Sequence, residues 1–152
     1  MLCVWWNIDG PVHWELLPRG STINAALYCD QLRRVAAVLK AKYPDLNYPV
    51  VFLHDNARPH VAQATKTVLG ELGWDVLPHP PYSPDLAPSD FHLFLSLSSA
   101  LSGISFNDEA ELENWLRQWF ASKDRAFYRR GIGKLVERWT EVVNNGGEYI
   151  GT

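Results

Sequence analysis

The chain has 152 residues, 47% of them hydrophobic and 12% aromatic, with seven tryptophans. That is enough apolar mass for one domain with a core and argues against disorder. No apolar run approaches the roughly 18 residues that cross a bilayer, and residues 1–6 lack the length and basic flank of a signal peptide. Cys3 and Cys29 have no metal-ligand spacing and read as buried, reduced thiols of an intracellular protein. A net charge of −3 and a pI near 5.9 give no global signature of a nucleic-acid binder.

Residues 2–6 are aromatic and β-favouring, and Asn7-Ile8-Asp9-Gly10 reads as a turn. Strand character resumes over residues 12–17, where Val12, Trp14 and Leu16 alternate with His13 and Glu15, which makes a hairpin. Pro18-Arg19-Gly20 ends it. Ser21 or Thr22 is then placed to cap a helix to about Lys42, with Ala25, Tyr28, Leu32, Val35, Leu39 and Tyr43 at the helical period.

Val50-Val51-Phe52-Leu53 is short and uniformly apolar, as expected of a central strand buried on both faces. Pro59 resets the backbone, and a helix from about His60 to Leu72 is expected to turn Val61, Ala64, Val68 and Leu72 inward and to end at Gly73. Residues 74–77 read as a second short strand, and the proline-rich stretch 78–88 cannot be regular structure. Ser89 caps a helix with Asp90 in its first turn and Phe94, Leu97 and Leu101 on one face. Asn107 caps the next, whose apolar positions are Leu112, Trp115, Leu116, Trp119 and Phe120. A final helix around Ile132, Leu135, Val136, Trp139 and Val143 precedes a loose tail, Asn144-Asn145-Gly146-Gly147. The order of elements is α/β, and residues 1–152 are read as one domain.

Two aspartates stand at informative places. Asp55 follows directly on the apolar strand, and Asp90 opens a helix, with thirty-four residues between them. One helix and one strand fit in that interval, enough to bring the chain back beside itself. Carboxylate oxygens suit Mg²⁺ or Mn²⁺, and two such ions roughly 4 Å apart activate water and stabilise the leaving oxygen in phosphodiester cleavage. The plain alternative is that Asp55 starts a turn and Asp90 favours a helix N-terminus through the dipole. His54, Asn56, Arg58 and His60 crowd the strand end with polar groups, although His60 is also placed to cap the following helix. Asp85, within Ser83-Pro84-Asp85, reads as a turn residue.

Between Arg117 and Arg138 lie seven basic residues against Asp124 and Glu137, a local net charge of +5. Such a segment is either a solvated helix face or a phosphate-facing patch.

His54-Asp55-Asn56-Ala57-Arg58-Pro59-His60, followed by Pro80-Pro81-Tyr82-Ser83-Pro84-Asp85-Leu86-Ala87-Pro88-Ser89-Asp90-Phe91-His92-Leu93-Phe94, resembles the catalytic core of mariner-family transposases, including one fused to a methyltransferase. Trp5-Trp6, Glu15-Leu16-Leu17, Phe127-Tyr128, Gly131-Ile132 and residues 134–139 resemble its flanking landmarks, so the similarity covers nearly the whole chain. The resemblance implies a ribonuclease-H-like fold and a Mg²⁺ (or Mn²⁺) dependent triad of three aspartates. It also implies cleavage and joining of DNA at transposon ends and targets, a homodimer, a nuclear location, and neither a membrane nor a small-molecule substrate.

By motif, Asp55 and Asp90 match the second and third aspartates, as catalytic residues and metal ligands. The first belongs to a Gly-Asp-Glu strand with no counterpart after Met1. The expectation is therefore an α/β, ribonuclease-H-like fold lacking its first strand, in an N-terminally truncated chain inactive by itself. Arg58, Lys123, Arg125, Arg129, Arg130 and Lys134 are the expected DNA contacts. The alternative is a domesticated, non-catalytic DNA-binding or interaction module. Asn7 stands where the family often has Asp, Val136 replaces a usual Pro, and residues 96–99 are unusually serine-rich.

Overall fold

A computed structural model describes residues 1–144 of the chain. Asn145, Gly146 and Gly147 of the expected tail lie outside the described residues, while Asn144 is the last residue of a helix. The chain gathers into two compact units, one made of residues 1–5 and 12–82, the other of residues 6–11 and 83 onward.

The first two strands, β1 (Leu2–Asn7) and β2 (Gly10–Leu16), form a two-stranded sheet across a tight turn, as the alternating pattern predicts. Asn7 Oδ1 accepts from the Asp9 amide within the turn, and Gly10 supplies the positive φ, 121°, that the turn requires. Its open end is closed by Leu17 N donating to Met1 O at 2.7 Å.

Helix α1 (Ala25–Lys42) dominates the first unit. It starts two residues later than a Thr22 cap would allow, because Asn24 is the cap: its Oδ1 accepts from Leu27 N at 2.8 Å. Ile23, just before the cap, packs on the core cluster that includes Tyr28, so the chain entry is stapled by apolar contact. Tyr28, Cys29 and the fully buried Leu32 meet Val68 and Leu69, with Trp5, Phe52, Leu72 and Trp74 around them. Cys29 is a buried free thiol as expected, whereas Cys3 is free but only half-buried.

Strands β3 (Val51–Phe52) and β4 (Asp75–Val76) pair in parallel, Val51 opposite Asp75 and Phe52 opposite Val76. The expectation of a strand buried on both faces fails here. Val51 is 61% exposed, and only the Phe52 face is covered, by the Trp74 ring at 5.0 Å.

The single helix expected between these strands is two, α2 (Arg58–Val61) and α3 (Gln63–Leu72). Ala62, with ψ 149°, interrupts them, and the Thr65 hydroxyl donates to Pro59 O, the carbonyl that a continuous helix would have bonded to residue 63. The break rotates the inward face. Thr65 is buried while Val61 and Ala64 are exposed, contrary to the unbroken periodicity; Val68 remains buried and Gly73 ends the helix in the left-handed region as expected.

In the second unit a short 3-10 turn (Pro84–Leu86) leads into a π-helical segment (Ser89–Phe94) and then α4 (Leu95–Leu101). Ser89 does not cap this helix; its Oγ accepts instead from Trp6 Nε1 at 2.9 Å. Helix α5 (Glu109–Ser122) is capped by Asp108 rather than Asn107, because Asp108 Oδ1 takes the Glu111 amide while Glu111 reaches back to the Asn107 amide. Helix α6 (Arg125–Asn144) begins with Asp124 Oδ1 accepting from Phe127 N. Leu86, Leu93, Leu97, Leu116, Trp119, Phe120, Phe127 and Tyr128 form the buried interior of this unit.

Candidate active site

Asp55 lies three residues beyond the end of β3, on irregular backbone where the strand hands over to α2. Its carboxylate is 56% exposed. Asp55 Oδ1 accepts from Ala57 N at 3.0 Å, and the same oxygen lies 2.7 Å from His60 Nδ1. The first bond is a turn closure, so the plain reading of Asp55 holds locally. The second couples Asp55 to a cluster of rings, because His60 stacks on Tyr28 at 4.2 Å and on His54 at 4.9 Å with the imidazoles nearly parallel. The short α2 aims His60 back at Asp55, so His60 is a partner of the carboxylate rather than a helix cap.

Burial, reinforced by the neighbouring His60, lowers His54 to about 4, so His54 is neutral at pH 7, and its Nδ1 shares a 2.8 Å hydrogen bond with the Tyr28 hydroxyl. The Tyr28 hydroxyl is in turn pushed far above the ordinary tyrosine range, chiefly by burial and then by the Asp55 charge. Tyr28, His54 and His60 thus form a fixed ring platform behind Asp55. Asn56 ties down the same turn by donating to His79 O at 2.8 Å.

Asp90 is exposed in the first turn of the π-helical segment, where Pro88 and Leu93 point inward. A π turn inserts an extra residue into a helical turn, is rare, and is frequent at functional sites. Here it carries Asp90 outward while Leu93 stays fully buried and His92 Nε2 donates to Phe127 O at 2.6 Å. Burial depresses His92 below the ordinary histidine value. Trp6 flanks His92, with its ring stacked at 6.4 Å, and Gly131 of α6 passes so close that a Cβ there would lie 2.4 Å from His92 Cδ2. Asp85 does lie in a turn, but the bonds of that turn are backbone ones, and Asp85 Oδ2 is buried without a hydrogen-bond partner.

The expected DNA-contacting cations are deployed unequally. Lys123 Nζ lies over the rings of Trp119 and Phe127, and Arg125 Nε lies 3.5 Å from Asp9. Arg117 pairs with Glu113, and Arg138 bonds Asp85 O and covers the Phe91 ring. Arg129, Arg130 and Lys134 are exposed on α6, the last two one turn apart, and both act on His92 electrostatically. Arg58 is exposed at the start of α2, three residues from Asp55.

Among the described residues no group of three or more His, Cys, Asp or Glu side chains is arranged to hold a metal ion. The donor chemistry of Asp55 and Asp90, exposed carboxylate oxygen, nevertheless matches what Mg²⁺ and Mn²⁺ take. The ring platform behind Asp55 and the π turn under Asp90 were not anticipated. Only the recurrence of His54 and His60 around Asp55 hinted at the first.

The family model described as Transposase (partial DDE domain) matches residues 1–47. The mariner Mos1 transposase of Drosophila mauritiana is 48% identical over 99% of this chain, which spans 44% of that protein. The histone-lysine N-methyltransferase SETMAR of Homo sapiens is 40% identical over 99% of this chain, which spans 22% of it. A structure of the Mos1 transposase catalytic domain with raltegravir and Mg superimposes with a TM-score of 0.94 at 48% identity, covering 98% of this chain and 76% of that one. The Mos1 paired-end complex with the left transposon end gives 0.92 at 49% identity, covering 97% and 44%. The fold is accordingly the ribonuclease-H-like fold of those catalytic domains, and the chain belongs to the mariner transposase family, to its catalytic domain.

Proposed function

We propose that this chain is the DNA-handling part of a mariner transposase, acting on transposon ends and target DNA through a divalent cation held by Asp55 and Asp90. The observation that carries this reading is the exposed Asp55 carboxylate, backed by the Tyr28–His54–His60 platform and followed within three residues by an exposed cation, Arg58. A reactive carboxylate needs fixed geometry, and this one is fixed on the side away from solvent. Mg²⁺ or Mn²⁺ bound there supplies Lewis acidity and a polarised water for phosphodiester chemistry. The Mos1 catalytic domain has been captured with Mg and with Mn, which supports a divalent ion here.

The chain's own residues hold and orient. The platform keeps Asp55 from turning inward, the π turn presents Asp90, and Arg129, Arg130 and Lys134 offer positive charge to phosphates. Residues 1–152 match two of the three aspartates implied by the family, so by themselves they are expected to bind DNA and not to cut it. In this reading the functional unit is a homodimer working in the nucleus.

Purified residues 1–152 and a fluorescent duplex test this. Binding should weaken steeply with salt, by roughly one counterion per phosphate contact, and the duplex should stay intact in Mg²⁺ or Mn²⁺. Cleavage abolished by Asp55→Ala would overturn the inactivity of the chain alone while sustaining the role of Asp55. Absence of binding at low salt would overturn the whole reading. The exposed cations of α6 equally suit a non-cleaving DNA-binding module, whose signature is binding indifferent to Asp55→Ala and Asp90→Ala with either metal present.

A further inference from the structure

A cavity of about 460 Å³ opens in the first unit beside the Asp55 turn, between α3, β4 and the chain after β4. Its polar wall includes His54, His60 and His79 with Asn56; Lys66 and Trp74 stand on the α3 and β4 side. No carboxylate lines it, so it offers little to a cation. The size falls in the range of about 300–1,000 Å³ usual for small-ligand sites.

The polar groups have spare capacity. His54 uses Nδ1 on Tyr28 and His60 uses Nδ1 on Asp55, which leaves the Nε2 atoms of both rings for other partners. His79 Nδ1 is buried and without a hydrogen-bond partner, a state that costs free energy until a bound group or water satisfies it. Lys66 is exposed on α3, and no acidic residue lines the cavity to neutralise it. A tryptophan ring, imidazole hydrogen-bonding atoms and one unopposed cation in a space of this size match a heteroaromatic ring bearing a phosphate.

We propose that this cavity receives a single unpaired nucleotide of a DNA strand, its base against the Trp74 ring, its polar edge towards the imidazoles and its phosphate at Lys66. The proposal rests on the DNA-handling reading and deepens it. A nucleotide taken from the stack beside Asp55 would anchor the strand next to the carboxylate, and every base has a ring face to offer, so the pocket is tolerant of sequence.

The test uses residues 1–152 and a duplex with a short single-stranded tail, with 5-iodo-2′-deoxyuridine placed either in the tail or in the paired region. Irradiation followed by peptide mapping should place tail cross-links within residues 54–79 and none there from the paired label. Lys66→Gln, on an exposed helix position, should weaken binding of the tailed duplex roughly fivefold and leave the blunt duplex unchanged. Tail cross-links confined to residues 123–134, or equal losses for tailed and blunt DNA, would sink the pocket while leaving DNA binding standing. Failure of both DNAs to bind at low salt would remove the DNA reading and the pocket with it. Tail-only cross-linking to Trp74 that persists in Lys66→Gln with fivefold weaker binding is the full positive result.

Discussion

Asp55 and Asp90 carry the same functional group, yet the chain supports them by different means. Asp55 sits on irregular backbone, and what fixes it is a set of side chains: His60 on α2, five residues on, and behind it Tyr28 on α1. Asp90 sits on a helix whose own geometry presents it, and its support is backbone and shape: Trp6 on Ser89, His92 on Phe127 O, and Gly131 leaving room. The first arrangement is a side-chain network that can be dissected atom by atom. The second is a packing solution in which volume matters more than any one hydrogen bond.

Substitutions should separate these two strategies. The largest losses belong to the two interiors alike: Leu32→Ala and Leu93→Ala, both at fully buried leucines, should each cost about 3 kcal/mol in urea denaturation. A much smaller loss at Leu93 would mean that the π-helical segment tolerates a void and is less tightly packed than described. Gly131→Ala should come next, at about 2 kcal/mol, since the added methyl overlaps His92. Combining it with His92→Ala should recover part of that cost in a double-mutant cycle, and simple additivity would contradict the steric account.

Tyr28→Phe should cost about 1 kcal/mol by removing the hydrogen bond to His54 Nδ1. The matching change on the Asp90 side is Ser89→Ala, which removes the acceptor of the Trp6 Nε1 bond. The pH response probes the same ring network from another side. His54 is held near 4 when folded against about 6.5 when unfolded, so the unfolded chain binds the extra proton between those values. Stability should therefore be constant above about pH 6.5, fall as pH drops towards 4, and flatten below. Melting temperature followed across that window in the parent and in His54→Gln checks it, since the substitution should flatten the slope. Arg117→Ala, on an exposed pair, should change stability by less than about 0.5 kcal/mol.

Much of this was legible in the residues. Periodicity found the hairpin, α1, α5 and the end of α3 at Gly73, because those elements bury one regular face each. It failed where a side chain overrode the period. Asn24, not Ser21 or Thr22, caps α1, and Ile23 beside it packs on the core. The hydroxyl of Thr65 replaced a helical bond and split one helix into two. The motif around Asp55 and Asp90 pointed to family and chemistry, but ring stacking over 26 to 32 residues of separation leaves no local pattern to read. The π turn at Ser89–Phe94 was equally invisible, since the groups packed around it, Trp6 and Gly131, lie far away in sequence.

Tyr82 is the last residue of the first unit, 98% exposed and held at φ 55°, in a left-handed conformation unusual for a side chain of that size. An exposed aromatic followed by serine is what chymotrypsin cuts. Limited digestion should open the chain after Tyr82 before it reaches the buried Tyr28 or Tyr128, giving fragments 1–82 and 83–152 that put one aspartate on each piece. The residue that looks most out of place is thus a natural point for separating the two aspartates and asking what each piece binds.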